Sequence, residues 1–457
     1  MSLPKRIVDV LHRPVDGLWL ALFRIGLGLC LLWQIWKYFS ADLIHNFYVE
    51  PQFHFTWLLF DSVRPCSPQG MYLHFALLAI AASCITLGFY YRLSAFVFWL
   101  GYTWAFLIDQ CWYLNHYYLI CLLSFLAIFL PAASELSLDA WRHPDSHRTT
   151  VPTWTLWLLR LQVAIPYFYG GISKINEDWL AGEPMRTWLS AQTDFPLIGQ
   201  YFTREWCVMS FVWGGLLLDL LVVPLLLWRW TRIPAMAIAL CFHLLNSQLF
   251  KIGVFPWMMI WLTLVLFLSP ATTARLRIWT RPRTTESDTN DVLPPIGVLR
   301  GGLLSIYLCW QLLMPLRHFL YETNTAFTRE GHQFSWRMKL NIRGLTAKLS
   351  WTDAVSGERT ELPLSDWITW HQERKFHDAD ELLQLTQRMK QVLEADGNQV
   401  EKICGDVTVS LNGRPPVRFC EPDLDLTRIQ RTLFPGDWFI GQPKLEPLPA
   451  LRIEDRP

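Results

Sequence analysis

The sequence of 457 residues has few charged side chains and lacks the short motifs of several ligand-binding classes. Charged residues make up only 17% of the chain and the net charge is +1, which argues against a nucleic-acid partner. No basic tract and no glycine-rich phosphate loop occurs. The ten cysteines form no CxxC or His/Cys spacing typical of zinc sites, so no bound metal is predicted.

The N-terminus, MSLPKRIVDVLHRP, also lacks the short hydrophobic core and small-residue cleavage site of a signal peptide. What the chain does have is hydrophobic residues, which make up 52% of it and lie mostly in blocks between about Leu18 and Leu320. Nine blocks approach the roughly 20 residues that a membrane-spanning helix needs: 18–38, 71–91, 94–110, 115–131, 153–172, 207–228, 233–250, 252–269 and 298–319. The sequence therefore predicts a polytopic α-helical membrane bundle of about nine spans, seven at the fewest.

Arginine and lysine are distributed unevenly between the loops that join these blocks. If the N-terminus is inside, the inner loops hold most of them, and the outer loops hold few: Arg64, Lys174, Arg186, Arg204 and Lys251. Because inner loops of membrane proteins are enriched in positive charge, this asymmetry predicts a cytoplasmic N-terminus. It places Lys174, Asn115 and His116 on the outer face together with the chain that follows Leu320.

We divide the chain into a transmembrane domain, residues 1–320, and a C-terminal region, residues 321–457, which is predicted to be an outer α+β domain. Strands are expected at 334–341, 347–352, 407–411 and 417–419, and an amphipathic helix at 378–394. Asn412-Gly413 is a hairpin turn signal between the last two strands. Cys404 and Cys420 bracket this hairpin, and a disulfide between them is possible in an oxidising compartment.

Lys174 directly follows the apolar, aromatic run 156–172 and is hard to explain by packing alone. Removal from water favours the neutral amine of a lysine, which can act as a base or a nucleophile. Gly170 and Gly171 would let a flat ligand approach closely. An aromatic surface precedes Lys174 and consists of Tyr167, Phe168 and Tyr169. The alternative is a lysine at a helix end whose ammonium reaches the membrane surface.

A second polar cluster, formed by His243, Asn246, Ser247 and Gln248, lies inside another apolar run. His243 and Asn246 share one face of a helix, and Gln248 lies off it. Hydrogen bonds between membrane helices could explain such a cluster. However, four polar residues within six exceed what one helix contact needs, and the cluster is also a candidate binding site.

Other polar residues occur singly in the apolar blocks. Asn115 and His116 open the fourth block, either as an interfacial anchor or as part of a site. Charged residues within spans are expected to pair across helices, Asp219 with Arg160, and Arg24 with a further partner. Two acids that follow Lys174 are expected to be solvated: Glu177 and Asp178.

The residues around Lys174 (167–182) and His243 (242–255) strongly resemble vitamin K-dependent γ-carboxylase. The resemblance extends to further segments: 47–51, 107–119, 317–320, 334–338, 376–380 and 409–412. Since it covers nearly the whole chain, the protein is identified as a member of the horizontally transferred transmembrane (HTTM) carboxylase-like family, expected in a bacterial inner membrane, or in the endoplasmic reticulum if eukaryotic.

The resemblance implies an enzyme that oxygenates reduced vitamin K to its epoxide with O2 and adds CO2 to the γ-carbon of a protein glutamate. It assigns the catalytic base to Lys174 and implies no metal. The cofactor site that it implies consists of His243, Asn246, Gln248, Tyr167, His318, Asn115 and His116. The lipid bilayer, a glutamate-containing protein or peptide and a quinone reductase are the expected partners.

Two departures from the animal enzymes keep other functions open. The stretch 131–135 (PAASE) lacks a histidine that the resemblance leads us to expect there, and the chain is shorter than the animal enzymes. One alternative is a quinol oxygenase that does not carboxylate glutamate. Another is a membrane scaffold without enzymatic activity, which would be favoured if Lys174 and His243 lay far apart or if Lys174 faced open water.

Overall fold

A computed structural model describes residues 9–250, 252–280, 296–321 and 323–440. Helices dominate as far as Leu320. In chain order they are α1 (Leu18–Ser40), α2 (Pro68–Leu87), α3 (Tyr91–Ile108), α4 (Asn115–Phe129), α5 (Thr153–Ser173), α6 (Glu205–Leu227), α7 (Arg232–Leu249), α8 (Phe255–Leu266), α9 (Pro270–Thr280) and α10 (Val298–Leu313). A 3-10 turn, Met314–Leu320, extends α10.

Each of the nine apolar blocks predicted as a span corresponds to one helix of 12 to 23 residues, but nine spans are not confirmed. Within the described residues, four helices are long and apolar enough to cross a membrane: Leu18–Ser40, Pro68–Leu87, Glu205–Leu227 and Val298–Leu320. A fifth span results if the bent pair Phe255–Leu266 and Pro270–Arg277 counts as one. Of the remaining helices, α4 is apolar but has only 15 residues, whereas α3, α5 and α7 have 18 to 21 residues and do not combine this length with sufficient apolarity.

The helices that carry the polar residues pack side by side. α5 packs against α6 and α8, and α1 packs against α2 and α8. Arg24 on α1 is fully buried, and its guanidinium finds backbone carbonyls instead of an acid. It donates to the oxygens of Ala132, Ile85, Thr86 and Leu136 at 2.5–3.0 Å. A buried cation is thereby satisfied without a carboxylate.

The C-terminal region is an α+β unit, as predicted. Its antiparallel sheet has the order β4-β3-β5-β6 and consists of β3 (Arg343–Asp353), β4 (Arg359–Leu362), β5 (Val400–Leu411) and β6 (Val417–Arg418). The helix α11 (Ala379–Ala395) packs on β5. The turn after β5 has positive φ angles at Asn412 and Gly413, as the hairpin signal requires. Cys404 and Cys420 are both buried free thiols, so the possible disulfide is not formed.

The strand predicted at 334–341 is wrong, because this segment is a series of turns. Phe334, Trp336 and Lys339 have positive φ angles, which no strand allows. Trp336 is fully buried in the core that the helices share, and the alternating apolar pattern reflects this packing.

The C-terminal region packs on the end of the bundle that carries Lys174. Arg414, in the hairpin, forms an ion pair of 2.6 Å with Asp178, and the Asn412 amide donates to the same carboxylate at 2.7 Å. Asp178 is therefore not solvated, contrary to the prediction. At the opposite end, β1 (Pro14–Asp16) pairs with β2 (Thr150–Pro152), which directly precedes α5.

Candidate active site

Lys174 is the C-terminal cap of α5 and lies where α5, α6 and the C-terminal region meet. Its side chain is buried, with only 7% of the residue exposed. The ammonium forms an ion pair with the Asp219 carboxylate and donates to the Gly170 carbonyl at 3.3 Å. It also lies 5.3 Å from the centre of the Trp179 ring. Lys174 therefore does not reach into water, which argues against the surface-lysine alternative.

Asp219 pairs with Lys174 and not with Arg160, which corrects the predicted pair. Arg160 lies 14 residues before Lys174 on α5, which corresponds to about 21 Å along the helix. Its guanidinium donates to the Leu266 carbonyl at 2.9 Å and stacks on aromatic rings instead. An acid on α6 that reaches the C-terminal end of α5 consequently cannot meet it.

Two glycines of α5 allow the close approach of α6. A Cβ atom at Gly170 would lie 3.2 Å from Asp219 Oδ2, and one at Gly171 would lie 2.6 Å from Leu220 Cδ2. A side chain at either position would push α6 away, and with it the carboxylate that meets Lys174. The Gly170-Gly171 pair therefore has a role in helix packing, in addition to any role in ligand binding.

The segment 334–338 of the C-terminal region covers this site. A Cβ atom at Gly170 would also lie 3.6 Å from Met338 Cε and 3.9 Å from the Trp336 carbonyl oxygen. The Trp336 ring lies 5.3 Å from the ring of Tyr118, on α4. Residues from three parts of the chain therefore enclose the Lys174–Asp219 pair and limit its contact with water.

Tyr167 on α5 and His243 on α7 are in contact. The Tyr167 hydroxyl and His243 Nε2 are 2.6 Å apart, and both residues are buried. The rings of Phe242 and Phe255 contact the imidazole. Tyr167 precedes Lys174 by seven residues, or about 10 Å along α5. Lys174 and Tyr167 therefore lie on one face of α5, two turns apart.

The other residues of the second cluster are arranged differently. Asn246 is half-buried one turn beyond His243. Gln248 is exposed, and its amide donates to the Ser247 hydroxyl at 3.3 Å. The two amides therefore lie in different surroundings, in line with the helical spacing, which places Gln248 off the face that His243 and Asn246 share.

Asn115 and His116 lie at the same end of the bundle. Asn115 Oδ1 accepts a hydrogen bond of 3.0 Å from the Tyr113 hydroxyl, which accepts one of 2.8 Å from the Phe334 N–H. His116 Nε2 approaches Gly253, where a Cβ atom would come within 3.4 Å and the φ angle is +62°. The imidazole thus packs on the loop that joins α7 to α8.

His318 lies in the 3-10 turn after α10 and is half-buried. Its Nδ1 donates to the Pro315 carbonyl at 2.7 Å, and its backbone packs closely on Gly331. The structure brings it to the boundary between the bundle and the C-terminal region. The neighbouring Arg317 points to the same boundary and donates to the Gln333 carbonyl at 2.9 Å.

The sequence did not predict a cluster of buried arginines at this boundary. Within the described residues, three of their nitrogens are buried without a hydrogen-bond partner: Arg317 Nε, Arg337 Nε and Arg343 Nη2. Asp378, a neighbouring carboxylate, pairs with Arg329 at 3.0 Å. Burial and the charge of Arg329 lower the pKa of Arg337 to about 10, and that of Arg343 to about 9. Such crowded, unsatisfied guanidinium groups suit an anionic ligand.

Within the described ranges, no group of three or more His, Cys, Asp or Glu side chains could hold a metal ion. No solved structure matches the chain. Two family comparisons do match: the HTTM domain over residues 12–271 and the vitamin K-dependent gamma-carboxylase lumenal domain over residues 298–444. The first covers more than half of the chain and includes α5 to α8, and the second includes the segment that covers Lys174. The chain therefore belongs to the family of HTTM-domain, vitamin K-dependent gamma-carboxylase-like membrane proteins.

Proposed function

We propose that the protein is a membrane enzyme that oxygenates reduced vitamin K and couples this reaction to carboxylation of a protein glutamate, with Lys174 as the base. One observation carries the proposal: a lysine and an aspartate form a buried ion pair at the end of apolar helices, enclosed by the C-terminal region. Buried ion pairs rarely increase stability over an apolar alternative, which favours a catalytic use for this one.

The residues around Lys174 fit a naphthoquinol. At Gly170 the Met338 side chain packs against α5, and the Tyr167–His243 pair lies two helical turns before Lys174, about 10 Å along the axis of α5. Tyr167, His243 and the half-buried Asn246 would hold the oxygen atoms of the ring. Reduced vitamin K, when bound, supplies together with O2 the strong base that removes the γ-proton of glutamate.

Lys174 and Asp219 would act as one proton-holding unit. Lys174 Nζ donates a hydrogen bond to Asp219 Oδ2, and in a dry site the ion pair would become neutral if Oδ2 took that proton. The amine left at Nζ can then accept a proton from a bound hydroxyl group. The ammonium that results lies next to the carbonyl of Gly170 and the ring of Trp179, which stabilise the charge.

The substrate carboxylate would bind to the unsatisfied arginines of the boundary cluster. Arg337 directly follows Trp336, whose carbonyl packs on Gly170. A glutamate held there lies close to the Lys174 site, and CO2 adds to the same side chain. The reduced quinone itself would come from a separate reductase in the membrane.

The fold bears on one of the two grounds for an oxygenase without carboxylation, the histidine missing from residues 131–135. The stretch 131–135 follows the C-terminal end of α4, whereas Asn115 begins α4 at the Lys174 end. About 22 Å of helix separates the two ends. A histidine in 131–135 would therefore lie at the far end of α4 from Lys174, whereas His116 lies at the Lys174 end.

The scaffold alternative would be favoured by an exposed Lys174, whereas Lys174 is buried. We propose that residues 1–320 form the membrane domain, with a cytoplasmic N-terminus, and that residues 321–457 lie outside. A bacterial inner membrane suits this arrangement, and the endoplasmic reticulum would suit it in a eukaryote.

The test uses the purified, detergent-solubilised protein with reduced vitamin K, O2, labelled bicarbonate and a glutamate-rich peptide. We expect vitamin K epoxide and labelled peptide from the wild-type protein and neither from Lys174→Ala. Epoxide without label would remove the carboxylation half of the proposal. Equal turnover in Lys174→Ala would remove the assignment of the base, and absence of both products would favour a scaffold.

A further inference from the structure

A large cavity lies at the end of the bundle opposite Lys174. Its volume is about 1090 Å³, and it lies between the start of α3, the end of α4, β2 and the start of α10. Typical ligand pockets measure about 300–1,000 Å³, so this space exceeds what a small ion or metabolite needs. It shares no lining residue with the site around Lys174, and nothing in the proposed reaction uses it.

The cavity is lined by an excess of positive charge. Four guanidinium groups face it: Arg92, Arg142, Arg148 and Arg300. Among the described residues that line it, the one acid is Asp139, and both oxygens of its carboxylate already accept backbone N–H groups, those of Tyr90 at 2.9 Å and Tyr91 at 2.8 Å. An anion that entered the cavity would meet four cations and one carboxylate whose hydrogen bonds are already made.

None of these four arginines has a carboxylate of its own. Within the residues that the structure describes, they form no ion pair. Arg142 stacks on the Phe89 and Tyr90 rings. By contrast, Arg277 at the same end of the bundle is paired with Asp16 and Glu135 at 2.5 and 2.8 Å. The unpaired arginines therefore remain available to a bound anion.

The rest of the cavity wall is apolar. Phe129 and Trp154 contribute rings, and three leucines line it while remaining exposed to the surroundings of the protein: Leu93 (62% exposed), Leu299 (78%) and Leu303 (42%). A free phosphate would use the arginines and leave these leucines uncovered. A molecule with an anionic head and a hydrocarbon chain would use both surfaces.

We propose that this cavity binds a membrane lipid with a single anionic phosphate headgroup. The phosphate oxygens accept hydrogen bonds from Arg148 and Arg300, with Arg92 at the rim, and one acyl chain lies along Leu299 and Leu303. The site lies at the end of the bundle that the charge distribution assigns to the inner leaflet. It is independent of the chemistry proposed for Lys174, and loss of the lipid does not remove any group of that site.

The test compares lipids and a matched pair of variants in the delipidated, detergent-solubilised full-length protein. Native mass spectrometry measures binding of phosphatidylglycerol, of zwitterionic phosphatidylcholine with the same acyl chains, and of inorganic phosphate. The variant Arg148→Gln/Arg300→Gln removes two cations from the cavity. Its control, Arg64→Gln/Arg204→Gln, removes the same charge from exposed arginines outside the cavity.

We expect phosphatidylglycerol to bind more tightly than phosphatidylcholine, and the cavity variant to bind it about 30-fold more weakly than the control. Equal binding of the two lipids by the wild-type protein would overturn the proposal even if the variants failed to fold. Competition by inorganic phosphate at the concentration of the lipid would show that a free anion is the ligand. Undiminished binding by the cavity variant would place the lipid elsewhere.

Discussion

At the scale of single residues, the Lys174–Asp219 pair makes the sharpest prediction. Asp219→Asn removes the carboxylate that takes the ammonium proton and balances its charge, so the ammonium that forms when Lys174 accepts a proton is left buried without a partner. We expect vitamin K epoxide formation to fall by about 10²- to 10⁴-fold, the usual range for loss of general base catalysis. Epoxide per folded protein is measured by chromatography. The control is Asp194→Asn, which changes an acid in an exposed loop. If Asp219→Asn formed the epoxide at the wild-type rate, the proposal that Lys174 and Asp219 share a proton would be contradicted.

A second residue-scale prediction concerns the hydrogen bond between Tyr167 and His243. Tyr167→Phe keeps the ring and removes the hydroxyl, so His243 Nε2 loses a partner 2.6 Å away. One neutral hydrogen bond corresponds to about a two- to tenfold change in an equilibrium constant. We expect the KM for reduced vitamin K to rise by that factor while kcat changes less. A fall in kcat without a change in KM would instead indicate that the Tyr167 hydroxyl acts in the reaction and not in binding.

The residues of the site were partly predictable. Lys174 and His243 stand out because a polar group within an apolar run needs an explanation that packing does not give. The partner of Lys174 was missed, since Asp219 and Arg160 are both charged residues in apolar helices and the sequence does not determine how α5 and α6 are aligned. The signal that could have found it is the Gly170-Gly171 pair, which marks where two helices approach most closely.

At the scale of elements, the contact between the hairpin and the loop after Lys174 can be tested. Asp178→Asn weakens the hydrogen bonds to Arg414 and Asn412, which are charge-assisted and contribute about 1–3 kcal/mol in total. We expect faster proteolysis in the hairpin, which is exposed at Gly413, Pro415 and Pro416, and a lower unfolding temperature. The exposed neighbour provides the control, Glu177→Gln. Equal cleavage rates in both variants would show that the hairpin is held by other contacts.

Elements were predictable where local signals and packing agree. The helix predicted at 378–394 forms as α11. Its apolar residues recur with the period of a helix, and a capping box between Asp378 and Glu381 stabilises its N-terminus. The segment 334–341 alternates like a strand but has no sheet partner, since its side chains are used to cover the helical bundle. Its conformation depends on contacts with α4 and α5, which a local pattern does not contain.

At the scale of the whole molecule, the site exists only because two parts of the chain pack together. The bundle provides Lys174, Asp219 and His243, and the C-terminal region provides the cover and the buried arginines. Loss of this packing would open the ion pair to water and separate the arginines from it. The stability of the C-terminal region therefore limits activity, and pH offers a way to change it.

Acid should destabilise the C-terminal region through His377. Burial, together with the charges of Arg329 and Arg343, lowers its pKa to about 4, and that of His332 falls well below its usual value. An unfolded histidine keeps a pKa near 6.5, so below that pH the unfolded chain binds a proton that the folded chain rejects. The contribution of His377 is fully present above pH 6.5 and is lost as the pH falls from 6.5 towards 4. At pH 5 the expected loss is about 2 kcal/mol.

The unfolding temperature of the full-length protein in detergent, measured between pH 7.5 and 5, checks this expectation. His377→Asn should flatten the decline, whereas the exposed His45→Asn should leave it unchanged. Burial also raises the pKa of Glu381, which stabilises the folded protein as the pH falls. Because this contribution is the same in both proteins, the difference between wild type and His377→Asn reports the contribution of His377. If His377→Asn declines as steeply as the wild type, another group causes the acid sensitivity. If activity outlasts unfolding of the C-terminal region, that region is not part of the catalytic site.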